Sequence, residues 1–242
     1  MNITVEGPKI MFTIPLFGGI RISETIVNSW IIMAVITLLC FYLSRGLKVR
    51  NPGRKQIVAE KLVTMLYNLV RDVMGERNLG YAPYIGTLFT FSIMGSLSGL
   101  TGLRALTGDL NTTLAWALVT FAMVQIIGIR KKGILGWLKS FTEPVVIMTP
   151  LNIIGEIANP ISMAFRHFGN IASGIVITAL VYGALAALSH AVLGWIPTLA
   201  AFPLFQVGIP AFLSIYFDVF TSFLQAYIIS MLTMVFVSSA NE

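Results

Sequence analysis

Long apolar runs separated by short polar loops constrain the fold of this chain more than any other feature. The runs at 24–44, 81–103 and 111–129 are each about as long as a helix that crosses the ~30 Å hydrocarbon core of a bilayer. Only 11% of the residues are charged, whereas an average soluble domain has about 25%. The sequence therefore predicts an all-α polytopic membrane protein that forms one integral membrane domain over residues 1–242.

The two remaining apolar runs, 142–188 and 203–239, are too long for a single upright span. Each holds roughly 40 residues, so a straight helix would measure about 60 Å, twice the thickness of the core. Either each run divides into two spans, or each is one steeply tilted helix. No strong polar interruption divides either run, which favours two long tilted helices. The chain shows no clear internal repeat, whereas repeat-built transporters usually do.

The distribution of basic residues predicts the orientation in the membrane. Lysine and arginine concentrate in loops 45–55 and 130–139, whereas the loop between the second and third spans is weakly charged. Basic loops stay in the cytoplasm, so we expect segment 1–23 outside and the C-terminus inside. The net charge of +6 therefore predicts contact with anionic lipid and not with nucleic acid. Asp109, just before the third span, is predicted to cap that helix.

Residues 54–77 predict a helix of a different kind. Apolar and polar side chains alternate with helical spacing, with the apolar ones at Val58, Leu62, Met65, Leu66, Leu69 and Val73. This pattern indicates an amphipathic helix on the inner membrane surface. The alternative is a soluble helix that packs on a partner.

Four ionisable residues lie deep in apolar sequence: Glu156, Arg166, His167 and Asp218. An arginine stays charged at any accessible pH and is costly in hydrocarbon. At intervals of three or four residues it shares one helix face with other polar side chains, namely Asn152, Glu156, Asn159, Ser162, Asn170 and Ser173. A second, shorter polar stripe on the last helix consists of Ser214, Asp218, Ser222 and Gln225. Polar groups at this depth must contact water, one another or a charged partner.

Two interpretations of these stripes remain open. Arg166 and Asp218 could form a structural ion pair, although such a pair is often no more stable than apolar packing. Alternatively, the stripes line an aqueous route for a cation, in which Glu156 and Asp218 relay the ion and Arg166 is an electrostatic barrier between them. His167 points about 100° away from Arg166 and is interpreted as a packing or partner-facing residue.

Two other functional classes also remain open. One is a secondary transporter whose arginine binds an anionic substrate; the other is a structural membrane subunit whose polar stripes only pack on a partner.

Three motifs resemble subunit a of the F-type ATP synthase, the stator half of a membrane ion turbine. FRHFGN at 165–170 is similar to the R-L-F-G-N of that family, with Arg166 and Asn170 in register. LQAYIISMLTMVFVSSA at 224–240 is similar to its last helix and matches Gln225 to its glutamine. TGDLNTTLAWAL at 107–118 is similar to the motif of its third span.

This resemblance implies a fold and a function. The two long tilted helices would form a hairpin beside a ring of c subunits, next to three spanning helices and one surface helix. Two offset half-channels would carry H⁺ or Na⁺ to and from the ring carboxylate and couple ion flow to rotation and ATP synthesis. The subunit would be non-catalytic and would need no cofactor or metal. It would lie in the bacterial plasma membrane with the b-subunit stator stalk and the other ATP synthase subunits.

The resemblance also implies residue roles. Arg166 faces the ring carboxylate, with Asn170 and Gln225 nearby. Many bacterial members carry an acid nine positions after the arginine, where this chain has Ile175. Asp218 stands where bacterial members have histidine and mitochondrial members an acid, so the outer half-channel would use the last helix alone. Glu156 would serve the inner half-channel, and the remaining candidate lining residues are Asn152, Asn159, Ser162, Ser173, Ser214 and Ser222.

Overall fold

The computed structural model describes residues 8–15, 19–143, 145–193, 213 and 215–241, and these are mainly helical. The helices are α1 (Glu24–Ser44), α2 (Arg54–Met74), α3 (Ala82–Leu97), α4 (Leu110–Ser140), α5 (Thr149–Leu193) and α6 (Thr221–Ala240). Within this part of the chain, four helical stretches are long and apolar enough to cross a membrane: Glu24–Ser44, Leu110–Ser140, Val146–Val192 and Ile215–Ala240. The predicted class, an all-α polytopic membrane protein, is confirmed at this level.

The segment before α1 contains a feature that the sequence analysis did not predict. Strands β1 (Ile10–Ile14) and β2 (Ile20–Ser23) pair antiparallel, with a register shift between Ile10 and Phe12. The backbone N–H of Glu24 donates a hydrogen bond to the carbonyl of Lys9 at 2.8 Å. The hairpin therefore leads directly into the first turn of α1.

The second predicted span, 81–103, is shorter than expected. Helix α3 has 16 residues, so it measures about 24 Å, and a 3₁₀ turn at Ser98–Thr101 follows it. The chain then reverses at Gly102, whose φ of 82° is left-handed. A Cβ atom at Gly95 would lie 3.0 Å from Leu106 Cδ1, so the small residues of this motif permit the close packing that the sequence predicted.

Helix α4 begins as predicted but does not end at 129. The Asp109 side chain caps it by accepting a hydrogen bond from the backbone N–H of Asn111 at 3.0 Å. The helix then extends through the basic residues to a sharp kink at Gly133, where φ is 70° and ψ is 165°. This conformation is essentially restricted to glycine, so the kink depends on that one residue.

We predict that Gly133→Ala destabilises the protein by about 1–3 kcal/mol, because a Cβ atom is strained in this backbone conformation. The measurement is the melting temperature of the detergent-solubilised protein. Gly53→Ala is the matched control, since Gly53 has a φ of −70° and its surroundings leave open space for an added methyl group. Equal melting temperatures for the two variants would contradict the prediction.

Helix α5 starts at Thr149, after a 3₁₀ turn at Val146–Met148, and not at the predicted residue 142. It continues for 45 residues and includes Pro160 without ending there. The last run is described from Leu213 onwards except Ser214; it passes through a π-helical turn at Ile215–Phe220 and continues as α6. Residues 203–212 and Ser214, which belong to the predicted run, lie outside the described residues.

Four helices share the core beside the polar stripe. Leu88 of α3, Ala117 of α4, Ala164 of α5 and Ile229 of α6 belong to one apolar cluster. A second cluster joins α2, α3 and α6; its buried members are Val70, Met74, Ala82, Ile85, Met234 and Val237. Helix α2 thus packs on its own chain through its C-terminal half, while its N-terminal half exposes Ile57, Val58, Leu62 and Met65.

Candidate functional site

Arg166 lies on a face of α5 that the other described residues leave uncovered. Its side chain is exposed, whereas Met163, Ala164 and His167 are buried on the opposite side of the helix. Within the described part of the chain, the guanidinium makes neither an ion pair nor a hydrogen bond. The structural ion pair with Asp218 is therefore not formed, and the described residues leave the charge unpaired.

The other members of the polar stripe on α5 differ in how far the described residues cover them. Asn159, Ser162 and Ser173 are exposed, and Asn152, Glu156 and Asn170 are partly exposed. The Asn170 amide donates a hydrogen bond to the carbonyl of Arg166 at 3.0 Å, and the Ser173 hydroxyl donates to the carbonyl of Asn170 at 3.2 Å. The donor groups of these two side chains are therefore hydrogen-bonded to backbone carbonyls of their own helix.

His167 packs inside the chain and does not face a partner. Its side chain is 1% exposed, and Nε2 lies 3.4 Å from the Ser92 hydroxyl of α3. The Trp116 ring packs against it in a T-shaped arrangement, with ring centroids 5.7 Å apart. Of the two interpretations from the sequence, the structure supports packing.

Helices α5 and α6 pack antiparallel, and two contacts define their register. A Cβ atom at Gly174 would lie 3.6 Å from the Cβ atom of Phe217 in the π-helical turn. Further along, Ala164 of α5 and Ile229 of α6 belong to the same apolar cluster. Interpolation between these two positions gives the approximate height of each α5 residue along α6.

This register separates the three candidate ionisable residues along the helix axis. Arg166 lies near the height of Gln225, which is 4% exposed. Asp218, next to Phe217, lies about 10 Å from that height in the direction of Gly174. Glu156 lies about 15 Å away in the opposite direction, ten residues before Arg166 on α5. The arginine therefore stands between two carboxylates that are displaced to opposite sides.

The second polar stripe is more enclosed than the first. Ser222 is buried and its hydroxyl donates a hydrogen bond to the backbone carbonyl of Asp218, whose side chain is partly buried. The described residues offer the Gln225 amide no hydrogen-bond partner. Ser214, the remaining candidate on this stripe, lies outside the described residues.

A cavity of about 540 Å³ opens beside Glu156, between α4, α5 and the end of α6. Its polar lining includes Asn152, Asn159 and Glu156 of α5, together with Lys132 of α4 and Glu143 of the following loop. A space of this size with several convergent polar groups can hold water. It brings three of the candidate lining residues together at one end of the stripe.

The Glu156 carboxylate is held by two residues that the sequence analysis missed. The Gln125 amide donates a hydrogen bond to Glu156 Oε1 at 2.5 Å. The Trp137 indole N–H donates to Gln125 Oε1 at 2.9 Å. Gln125 is the only strongly polar side chain in the second half of the third apolar run, and that isolation was the available signal.

The match to known proteins covers nearly the whole chain. The family model for the ATP synthase A chain matches residues 26–238. "ATP synthase subunit a 2" of Bradyrhizobium sp. is 36% identical over 92% of this chain and 91% of its own length. "ATP synthase subunit a, sodium ion specific" of Propionigenium modestum is 31% identical over 98% of this chain and 86% of its own length. The exposed arginine between displaced carboxylates and these matches together lead to one conclusion: the chain belongs to the family of subunit a of the F-type ATP synthase.

Proposed function

We propose that Glu156, Arg166 and Asp218 form the ion-translocating site of this stator subunit. Members of the family supply the non-catalytic ion channel of the membrane sector. The observation that carries the residue assignment is the position of Arg166, exposed and without a partner in the described chain, between two displaced carboxylates. Such a charge is costly at membrane depth unless it meets an acidic group from another chain.

A rotating ring of c subunits would bring that acidic group. Near the guanidinium, the charged form of a ring carboxylate is favoured, so the carboxylate releases its H⁺ or Na⁺. Exposed apolar residues flank the polar stripe, namely Ile154, Ile157, Ile161 and Phe165. These side chains support an apolar contact with the ring along one side of the polar stripe.

The two carboxylates would serve separate half-channels. The cavity beside Glu156 supports an aqueous route on one side, lined by Asn152 and Asn159. Asp218, with Ser222 and Ser173 nearby, would serve the other route, and Asn170, Ser162 and Gln225 would lie close to the ring carboxylate. Arg166 keeps its proton, so it blocks a direct leak between the routes. A membrane potential of 100 mV supplies ~2.3 kcal/mol per charge to drive the ring.

The basic loops would place the cavity beside Glu156 on the cytoplasmic side of a bacterial plasma membrane. Lys132 lines that cavity, and Lys131 donates a hydrogen bond to the carbonyl of Asn241. These contacts support a cytoplasmic C-terminus, and the first span then puts the N-terminus outside. The b-subunit stator stalk and the other subunits would complete the complex.

The comparisons favour this function over a secondary transporter, because the relatives named above are subunits of an ATP synthase. A purely structural subunit would not require an unpaired charge on an uncovered face. The carboxylates on both sides of Arg166 are likewise unnecessary for packing alone.

The test is disulfide crosslinking to the ring. In a Cys40→Ser background, which removes the single cysteine of the chain, Ser162→Cys should crosslink to cysteines placed beside the ring carboxylate. Ser44→Cys, an exposed serine at the end of α1, is the matched control and should not crosslink. Failure of the chain to copurify with a ring of carboxylate-bearing hairpin proteins, or crosslinking at Ser44 alone, would reject the proposal.

A further inference from the structure

We propose that Gln125 and Trp137 are positioning residues that orient the Glu156 carboxylate for cation uptake through the inner cavity. This inference rests on the proposed role of Glu156 in that route. It concerns two side chains that carry no charge and lie on a different helix from Arg166. Their influence on the carboxylate follows from the direction of their hydrogen bonds.

An indole N–H can only donate a hydrogen bond, whereas a glutamine amide can donate from one end and accept at the other. The Trp137 N–H donates to Gln125 Oε1 at 2.9 Å, so the oxygen of the amide is fixed on the side of the indole. The amide nitrogen must then face Glu156 Oε1, to which it donates at 2.5 Å. The indole therefore sets which end of the amide the carboxylate meets.

The backbone brings Trp137 back to Gln125 through the kink at Gly133. After this kink the end of α4 turns back, so that the indole ring lies over Gly128, where a Cβ atom would be 3.4 Å from Trp137 Cδ1. The Phe141 ring packs edge-on against the indole, with centroids 5.0 Å apart. The orientation of the indole is therefore set by packing on two sides and does not depend on the hydrogen bond alone.

The same three side chains stand between two cavities. Gln125, Trp137 and Glu156 line both the cavity of about 540 Å³ and a second one of about 520 Å³. The second cavity is mainly apolar, with Ile129, Leu138, Ile153 and Ile157 in its lining. Without the amide hydrogen bond, the Glu156 carboxylate would be free to change rotamer between the two cavities. The bond holds one carboxylate oxygen and leaves the other for a cation.

Two further charged side chains line the polar cavity, Lys132 of α4 and Glu143 of the loop before α5. The described lining residues from α6 are Phe236, Ser239 and Ala240, which carry no charge. Glu156 is thus the carboxylate of this cavity that lies on the polar stripe of Arg166. Its position along the stripe makes its orientation matter for transfer towards the ring.

The experiment uses the complete synthase in inverted membrane vesicles, where the cytoplasmic face is accessible. ATP-driven uptake is measured against the outside concentration of Na⁺ at fixed pH, and against outside pH without Na⁺. For Gln125→Leu we expect the half-saturating concentration of the coupled cation to rise about tenfold, as for a carboxylate that adopts its cation-binding rotamer only about a tenth of the time. The maximal rate should change much less.

Trp137→Phe keeps an aromatic ring at this position but removes the indole N–H. We therefore expect a smaller rise, about threefold, in the same half-saturating concentration. If Trp137 acts through Gln125, the double variant should behave like Gln125→Leu alone. Trp30→Phe, on the exposed side of α1, is the matched control and should leave both curves unchanged. Copurification with the ring checks assembly, and Gln125→Met replaces Gln125→Leu if the latter fails to assemble.

The outcomes separate this inference from the proposed function. Additive effects of the two substitutions, or changes in the maximal rate alone, would assign Gln125 and Trp137 a purely structural role and overturn the inference. Wild-type concentration dependence for both variants, with altered dependence for Glu156→Gln, would also overturn it while leaving the function intact. Wild-type behaviour of Glu156→Gln would instead reject the role of Glu156 in the inner route.

Discussion

Arg166→Ala is expected to abolish ATP-driven ion uptake in inverted vesicles while the subunit remains in the membrane at its normal level. The side chain is exposed, and its removal breaks no hydrogen bond or ion pair among the described residues. What is lost is the positive charge that, in the proposed mechanism, makes a ring carboxylate release its cation and separates the two half-channels. Uptake is followed with a pH-sensitive or Na⁺-sensitive dye.

The control is Arg50→Ala, which removes an exposed arginine from the first basic loop. We expect near-normal uptake for this variant and normal copurification with the ring for both. Arg166→Lys should also fail, because a lysine lacks the planar fork and can lose its proton. Retained pumping by Arg166→Ala, or full tolerance of Arg166→Lys, would favour a structural subunit.

The second large effect is expected for Asp218→Asn, which should slow ATP synthesis driven by an imposed ion gradient by about tenfold or more. The substitution keeps the size of the side chain and leaves the backbone carbonyl that accepts from Ser222. It removes the carboxylate that would exchange the ion with the outer route. Position 175 holds an isoleucine, which cannot exchange an ion. The chain therefore has no acid at that position to compensate for the loss.

Synthesis is measured over a range of outside pH and Na⁺ concentration, since a relay group should change the concentration dependence as well as the rate. Asp72→Asn, an exposed acid on α2, is the matched control. An unchanged rate at every pH would remove Asp218 from the outer route. Slower synthesis with a normal concentration dependence would point to a packing defect.

The sequence predicts the parts of this fold that depend on local composition. The bounds of α1 match the first apolar run because polar residues end it at both sides. The kink at Gly133 escaped prediction because an isolated glycine does not reveal its φ angle. The early end of α3 also escaped prediction, since GSLSGLTG is apolar enough to continue a span and bends only when it packs on the Ala105–Leu106 segment.

For the candidate site, too, the sequence predicts what depends on helical periodicity and not what depends on the packing of distant helices. The polar stripe on α5 follows from helical periodicity, and the exposure of Arg166 agrees with it. Which side of α5 buries His167 depends on contacts with α3 and α4, which lie 75 and 51 positions earlier at Ser92 and Trp116. Likewise, Gln125 and Glu156 are 31 positions apart, so their hydrogen bond requires knowledge of helix packing.

The π-helical turn at Ile215–Phe220 has a consequence for the direction of the side chains on either side of it. A turn closed by i→i+5 bonds advances each residue by a smaller angle than an α-helical turn. Asp218 and Gln225 are seven positions apart and would nearly eclipse one another in an unbroken α-helix. The wider turn rotates them to different azimuths, so one continuous helix holds the partly buried Asp218 side chain and the buried Gln225 amide in different surroundings.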